Sequence, residues 1–228
     1  MNEISKNLEN VKQRITISAK KAGKTLDEIT LVAVSKTMPV NSINEAIEAG
    51  VTNIGENRVQ EAMGKFPKIT KPITKHMIGH LQKNKVKHAV KLFDIIQSVD
   101  SLELAYEISK RATKEMPVLV EVNTSGESSK YGCEPRDALT LSEKISSLRN
   151  ILLKGYMTIA IFSSNINKVR PCFKLLSEIY EEAKSRNIPN TDISILSMGM
   201  SSDYKVAIEE GSNMVRIGTS IFGSRKYN

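Results

Sequence analysis

The chain has 228 residues, 40% hydrophobic and 25% charged, which is ordinary for a soluble globular protein and enough for one full core or two small ones. No apolar run approaches the roughly 18–20 residues that cross a bilayer, and the start enters a helical pattern with no secretory core, so a cytoplasmic protein without a membrane partner is expected. Cys133 and Cys172 are too few for a disulfide framework or a cysteine-rich zinc site; the net charge of +8 is spread over most helices with only five Phe and six Tyr, which predicts a solvated lysine-rich surface and no nucleic-acid partner.

Ile4, Leu8, Val11, Ile15 and Ala19 recur at helical spacing and predict an amphipathic opening helix. A strand is expected over Leu31–Val34, a helix over Val40–Ala49, a short strand over Asn53–Gly55 and another over His76–Ile78. Next come a helix over Asn84–Lys91, a strand over Ile95–Ser98 and a helix over Ser101–Lys114, for which Asp100-Ser101 offers a cap. The alternation continues through strand Val118–Val122, helix Pro135–Leu148, strand Leu152–Met157 and helix Asn167–Ser185, whose Val169, Phe173, Leu176, Tyr180 and Ala183 share a face. It ends with strand Ile193–Leu196, helix Tyr204–Glu210 and strand Met214–Ile217. Eight strands separated by helices, with no linker or composition break, predict one α/β domain over residues 1–228: a parallel (β/α)8, or TIM, barrel. A doubly wound open sheet is the alternative, but its Gly-x-Gly-x-x-Gly flag is absent.

Polar residues gather where the strands end: Lys36, Asn57, His80, Ser98, Asn123, Thr158, Ser197 and Gly218-Thr219. In such barrels the carboxyl ends of the strands carry the chemistry, although any βα loop needs polar residues for its turns. Lys36 follows the apolar run Leu31-Val32-Ala33-Val34, where burial would lower an amine's pKa and make it a nucleophile toward carbonyls; an ordinary surface lysine is the plainer reading. Ser197-Met198-Gly199-Met200-Ser201-Ser202-Asp203 and Arg216-Ile217-Gly218-Thr219-Ser220 look built to aim backbone N–H groups at a phosphate, or else to cap helices. Closing a barrel brings the first strand beside the eighth, so Lys36 would adjoin that cup. An amine next to a phosphate site suits pyridoxal 5′-phosphate (PLP), and it suits phosphorylated sugars as well.

Ala33-Val34-Ser35-Lys36-Thr37, Ile54-Gly55-Glu56-Asn57 and His76-Met77-Ile78-Gly79-His80-Leu81-Gln82 occur in order, followed by Ser197-Met198-Gly199-Met200-Ser201 and Met214-Val215-Arg216-Ile217-Gly218-Thr219 with Ile221-Phe222-Gly223. This ordered set, spanning nearly the whole chain, resembles the PLP homeostasis protein family (YggS/PROSC). The resemblance implies a single barrel like the amino-terminal domain of alanine racemase (PLP fold type III). It also implies roles: Lys36 holding PLP as an aldimine, Asn57 near the ring, Ser201, Gly218 and Thr219 on the phosphate with Met200 nearby, and Arg216 approaching the pyridine nitrogen. A guanidinium there disfavours ring protonation and makes the ring a poor electron sink. Without the resemblance, Arg216 reads equally as a partly buried arginine paired with a carboxylate.

The function so implied is a carrier, not an enzyme, that buffers PLP and related B6 vitamers and supplies apo-enzymes, as a monomer. The alternatives are a PLP-dependent amino-acid racemase, for which one barrel leaves no room for the racemase's second domain, and a cofactor-free enzyme acting on phosphorylated metabolites. Asn123–Gly132 also matches a family loop, in which Lys130 reads as an ordinary lysine ahead of a secondary vitamer contact. Tyr156 stands where the family commonly has Leu, and a nearby proline is missing, which questions the site wall. His76 and His80 lack companions for zinc and read as structural or cofactor-adjacent; Ser18-Ala19-Lys20-Lys21 lacks the companion motifs of penicillin-binding enzymes.

Overall fold

The computed structural model describes residues 2–223. Eight parallel strands close into a barrel in chain order: β1 (Thr30–Val34), β2 (Asn53–Glu56), β3 (Thr74–Met77), β4 (Ile95–Val99), β5 (Met116–Glu121), β6 (Ile151–Met157), β7 (Thr191–Ser197) and β8 (Met214–Ile217). Closure is direct, with β1 beside β8 in the register Thr30↔Met214 to Ala33↔Ile217. The expected (β/α)8 architecture is present, and the open-sheet alternative is excluded. Asn53–Gly55, short as it is, forms a strand because both flanks pair, Ala33↔Ile54 on one side and Gly55↔His76 on the other.

Helices α1 (Glu3–Lys21), α2 (Val40–Glu48), α3 (Val59–Lys65), α4 (Val86–Leu92), α5 (Leu102–Arg111), α6 (Ala138–Ser146), α7 (Ile166–Ser185), α8 (Tyr204–Glu209) and α9 (Thr219–Phe222) surround the barrel. The expected stripes are the buried ones: Ile4, Leu8, Val11, Ile15 and Ala19 on α1, and Val169, Phe173, Leu176, Tyr180 and Ala183 on α7. Each fully buried Val, Leu, Ile or Phe among them contributes about 1.5–3 kcal/mol. Asn2 caps α1 by accepting from the Ser5 N–H, and Ser101 caps α5 through the Leu104 N–H. α3 was not among the expected helices. It has seven residues, too few for a periodic pattern to stand out, and only Val59 and Ala62 are buried along it.

α9 is one turn long, too short to cover β8 and β1. α1 packs instead against α2, α8 and α9, and so closes the helical ring from the other end of the chain. Inside the barrel, Ile95, Leu119 and Met157 form a small apolar cluster with Ile159 and Ile195. The ladders of β5 with β6 and of β6 with β7 shift register around Gly155. Gly155 has φ +142°, and a Cβ there would lie 1.9 Å from the Ile195 carbonyl oxygen, so only glycine fits.

Candidate functional site at the carboxyl end of the barrel

Lys36 lies two residues beyond β1. The Ser35 N–H donates to the Gly55 carbonyl at 3.0 Å and so extends the ladder to the residue before it. The loop is then clamped from α3. Lys65 Nζ donates to the Ser35 carbonyl at 2.7 Å and to Glu56 Oε1 at 2.9 Å, and it also meets Glu61 Oε1, which accepts the Thr37 N–H. Ser35 Oγ donates to the same Glu56 oxygen at 2.7 Å. Thr37 adopts φ +64°, a left-handed turn that these bonds hold in place. The helix that periodicity did not reveal therefore holds the residues on either side of Lys36.

A cavity of about 340 Å³ opens at this end, lined by Lys36, Met200, Ser201, Arg216, Gly218 and Thr219 with Phe162 at its rim. Six of the seven expected site residues thus share one cavity. The loops after β7 and β8 are joined where the Gly218 N–H donates to Ser201 Oγ at 3.3 Å. A Cβ on Gly218 would press within 3.3 Å of Val34, so glycine lets the last loop close against β1. The first N–H groups of a helix have no intrahelical acceptor; those of Thr219 and Ser220 have none among the described residues. Asp203 stiffens the β7 loop by accepting the Met200 N–H, with burial pushing its carboxyl above the usual range.

Asn57 lies one strand away and lines a neighbouring cavity of about 470 Å³ with His80 and Tyr131. Its Oδ1 is buried with no hydrogen-bond partner among the described residues. Other polar strand-end residues hold the scaffold: Ser98 donates to the Gly79 carbonyl, Asn123 to the Glu127 carbonyl, and Thr158 to the Val122 carbonyl.

Arg216 is only 3% exposed on the cavity floor. Nη1 donates to Ser197 Oγ at 2.6 Å and Nη2 to the Thr158 carbonyl at 2.7 Å. Its hydrogen-bond acceptors are therefore neutral oxygens, not the carboxylate that the plainer reading supposed. Burial pulls its pKa down to about 10 against the charges of Glu121 and Asp203, which leaves it cationic at neutral pH. Glu121, which sequence reasoning passed over, ends β5 with Oε2 buried and without a hydrogen-bond partner among the described residues; burial, aided by Asp100, pushes its carboxyl up to about 7. A carboxylate closing the run Val118-Leu119-Val120 was the available signal, since period two puts it on the face of Leu119, inside the barrel.

Burial and Arg216 push His76 down to about 3, so it is neutral between Asn53 and Gln97. His80 stacks on Tyr131 with ring centroids 3.8 Å apart and lies 3.3 Å from Asp100. Lys130 pairs with Glu127 and donates to the Ala160 carbonyl at 2.8 Å, bracing two loops. Tyr156 is fully buried and its hydroxyl meets Ser142 of α6 at 2.7 Å, so this departure sits in the helix layer and not in the site wall.

A closed parallel barrel with one lysine beside a hydroxyl-and-amide cup belongs to a known class. Residues 6–226 match the model of the family described as "Alanine racemase, N-terminal domain". Alanine racemase of Clostridium difficile shares the fold, with a TM-score of 0.78 at 16% identity, and the chain covers 58% of its length. Pyridoxal phosphate homeostasis proteins are far nearer: that of Vibrio cholerae is 39% identical over 100% of this chain and 99% of its own, and that of Aquifex aeolicus 42% over 96% and 97%. PipY of Synechococcus elongatus, solved with PLP bound, superposes with a TM-score of 0.83 at 31% identity over 96% of this chain and 100% of its own. The chain belongs to the pyridoxal phosphate homeostasis protein family.

Proposed function

We propose that this chain binds pyridoxal 5′-phosphate in the cavity at the mouth of the barrel and takes part in PLP homeostasis. The observation that carries the reading is the closure of β1 on β8, by which Lys36 shares one cavity with Ser201, Gly218, Thr219 and Arg216. PLP asks for an amine, an anion cup and a ring-nitrogen neighbour, and the residues present supply all three. Bound PLP supplies an aldehyde that condenses with an amine. Lys36 offers that amine from a loop clamped by Lys65 and Glu61. Ser201 Oγ, the Thr219 hydroxyl and the N–H groups opening α9 would hold the phosphate, with Met200 lining the same cavity. Arg216, cationic at neutral pH, would face the ring nitrogen and disfavour its protonation, which suits holding the cofactor more than turning over amino acids. Asn57, just past β2, would border the ring with an amide oxygen that has no partner among the described residues.

On this reading residues 1–228 act as one domain, a monomeric carrier without catalytic turnover that passes PLP to apo-enzymes. The relatives' naming as homeostasis proteins supports it.

Borohydride reduction of the PLP-loaded protein should fix the cofactor to Lys36 by peptide mass mapping, and Lys36→Ala should lose the adduct. A protein with no visible cofactor absorbance and no reduced adduct would instead point to phosphorylated metabolites. Steady incorporation of α-deuterium from deuterated water into L-amino acids would establish turnover and overturn the carrier reading.

A further inference from the structure

A guanidinium has only donors, so a buried one dictates the polarity of every hydrogen bond that leads away from it. From Arg216 this can be followed through the barrel. Ser197 Oγ accepts from Arg216 Nη1 and donates to Gln97 Oε1 at 2.7 Å. The Gln97 amide nitrogen then faces His76 Nδ1 at 2.8 Å and Met214 Sδ at 3.2 Å. His76 Nδ1 must accept, so the ring carries its proton on Nε2, which donates to Asn53 Oδ1 at 3.0 Å. Asn53 Nδ2 finally donates to Thr52 Oγ1, also at 3.0 Å, at the opposite end of the barrel. Reversing the Gln97 amide would orphan the Ser197 proton and set the Gln97 oxygen against the Met214 sulfur.

Five strands contribute to this chain, β2, β3, β4, β7 and β8, and Ser197, Gln97 and His76 are at most 2% exposed. Each member is satisfied, and each dipole turns its negative end toward Arg216. Such an array stabilises a buried cation without a carboxylate in contact and fixes the plane of its guanidinium. The charged groups acting on Arg216 from other elements, Glu121 on β5 and Asp203 after β7, influence it without hydrogen-bonding to it.

We propose that Ser197, Gln97 and His76 are positioning residues: a hydrogen-bond relay of one polarity that holds the Arg216 guanidinium fixed on the cavity floor, where it would face the cofactor's ring nitrogen. The proposal rests on reading the cavity as a PLP site, and the relay can be examined apart from it.

In the free protein, long-range ¹H–¹⁵N correlation spectra should show His76 as the neutral Nε2–H tautomer from about pH 5 to about pH 8. An Nδ1–H tautomer or an imidazolium in that range overturns the relay. Ionised, Gln97→Glu can still accept from Ser197 but cannot donate to His76, so His76 should carry a proton on Nδ1, as the Nδ1–H tautomer or the imidazolium; an Nε2–H tautomer beside the ionised carboxylate counts against the relay. In the loaded protein, Ser197→Ala should weaken PLP retention about ten-fold, as expected for a lost bond to a charged group, Gln97→Leu should weaken it less because it only unseats Ser197, and both should shift the absorbance of the bound cofactor. Ser197→Thr keeps the hydroxyl and should restore both. Native retention and absorbance in a folded Ser197→Ala protein overturn the positioning role. A native protein that retains no PLP overturns the site reading and the positioning role together, while the tautomer spectra judge the relay alone.

Discussion

Glu121 and His76 sit in the same barrel interior, and burial pushes their pKa values in opposite directions along the pH axis. Glu121 holds its proton in the folded protein up to about 7, against 4.5 when unfolded, so it withdraws stability as pH rises between those values. His76 stays neutral down to about 3 against 6.5, so it withdraws stability as pH falls through that window. Glu121→Gln isolates the first effect, because a neutral isostere has no proton to lose. Its stability advantage over the native protein should grow from about pH 4.5 to about pH 7 and then level off at a few kcal/mol. Denaturant midpoints measured across that range test it, and a constant difference would place the carboxyl in a wetter setting. Arg216 shows what residue-level reading reached: its place at the strand end was legible, but its neutral partners Ser197 and Thr158 were not.

At the level of elements, α3 matters through one cluster. Lys65 is mostly buried, and Glu56 is fully so. Burial raises the Glu56 carboxyl even though Lys65 and Ser35 pull the other way. Lys65→Met would take the cation from the buried Glu56 carboxylate and leave it only the Ser35 hydroxyl among the described residues, at a cost of about 3–5 kcal/mol. Pairing it with Glu56→Gln should recover a good part of that loss. Chemical denaturation of the two variants distinguishes a buried ion pair from a mere surface contact. β6 and β7 pose a sharper constraint. Gly155→Ala would drive a methyl into the Ile195 carbonyl, so it should abolish the folded state or cost more than about 3 kcal/mol. Native stability in that variant would mean the strands can separate there. Neither feature was visible beforehand: seven residues hide a helical period, and a strand-pattern glycine does not announce which carbonyl faces it.

For the molecule as a whole, the opening helix does the work that a helix after β8 does in a simple repeat. α1 joins α8 to α2, and Leu8 and Ile15 are buried in that junction. Leu8→Ala or Ile15→Ala should cost about 2–5 kcal/mol in global unfolding. The closing β1–β8 ladder depends on the same packing, so PLP retention should fall together with stability. Amide hydrogen exchange that spared β1 and β8 in these variants would show that the ring closes without α1.

The amino-acid sequence alone determined the alternation of strand and helix, the barrel that follows from it, the lysine at the end of β1 and the ordered motifs that carry the family resemblance. These are local properties: period, turn chemistry and the residue following an apolar run. Only the tertiary structure decided that α3 clamps the Lys36 loop, that Tyr156 faces the helix layer, and that Asn57 borders a second cavity. It alone decided the line from Arg216 to Asn53 as well. Strand period says whether a side chain points inward, but which inward side chains meet across the barrel depends on strand tilt and register, and those are set by all eight strands closing together.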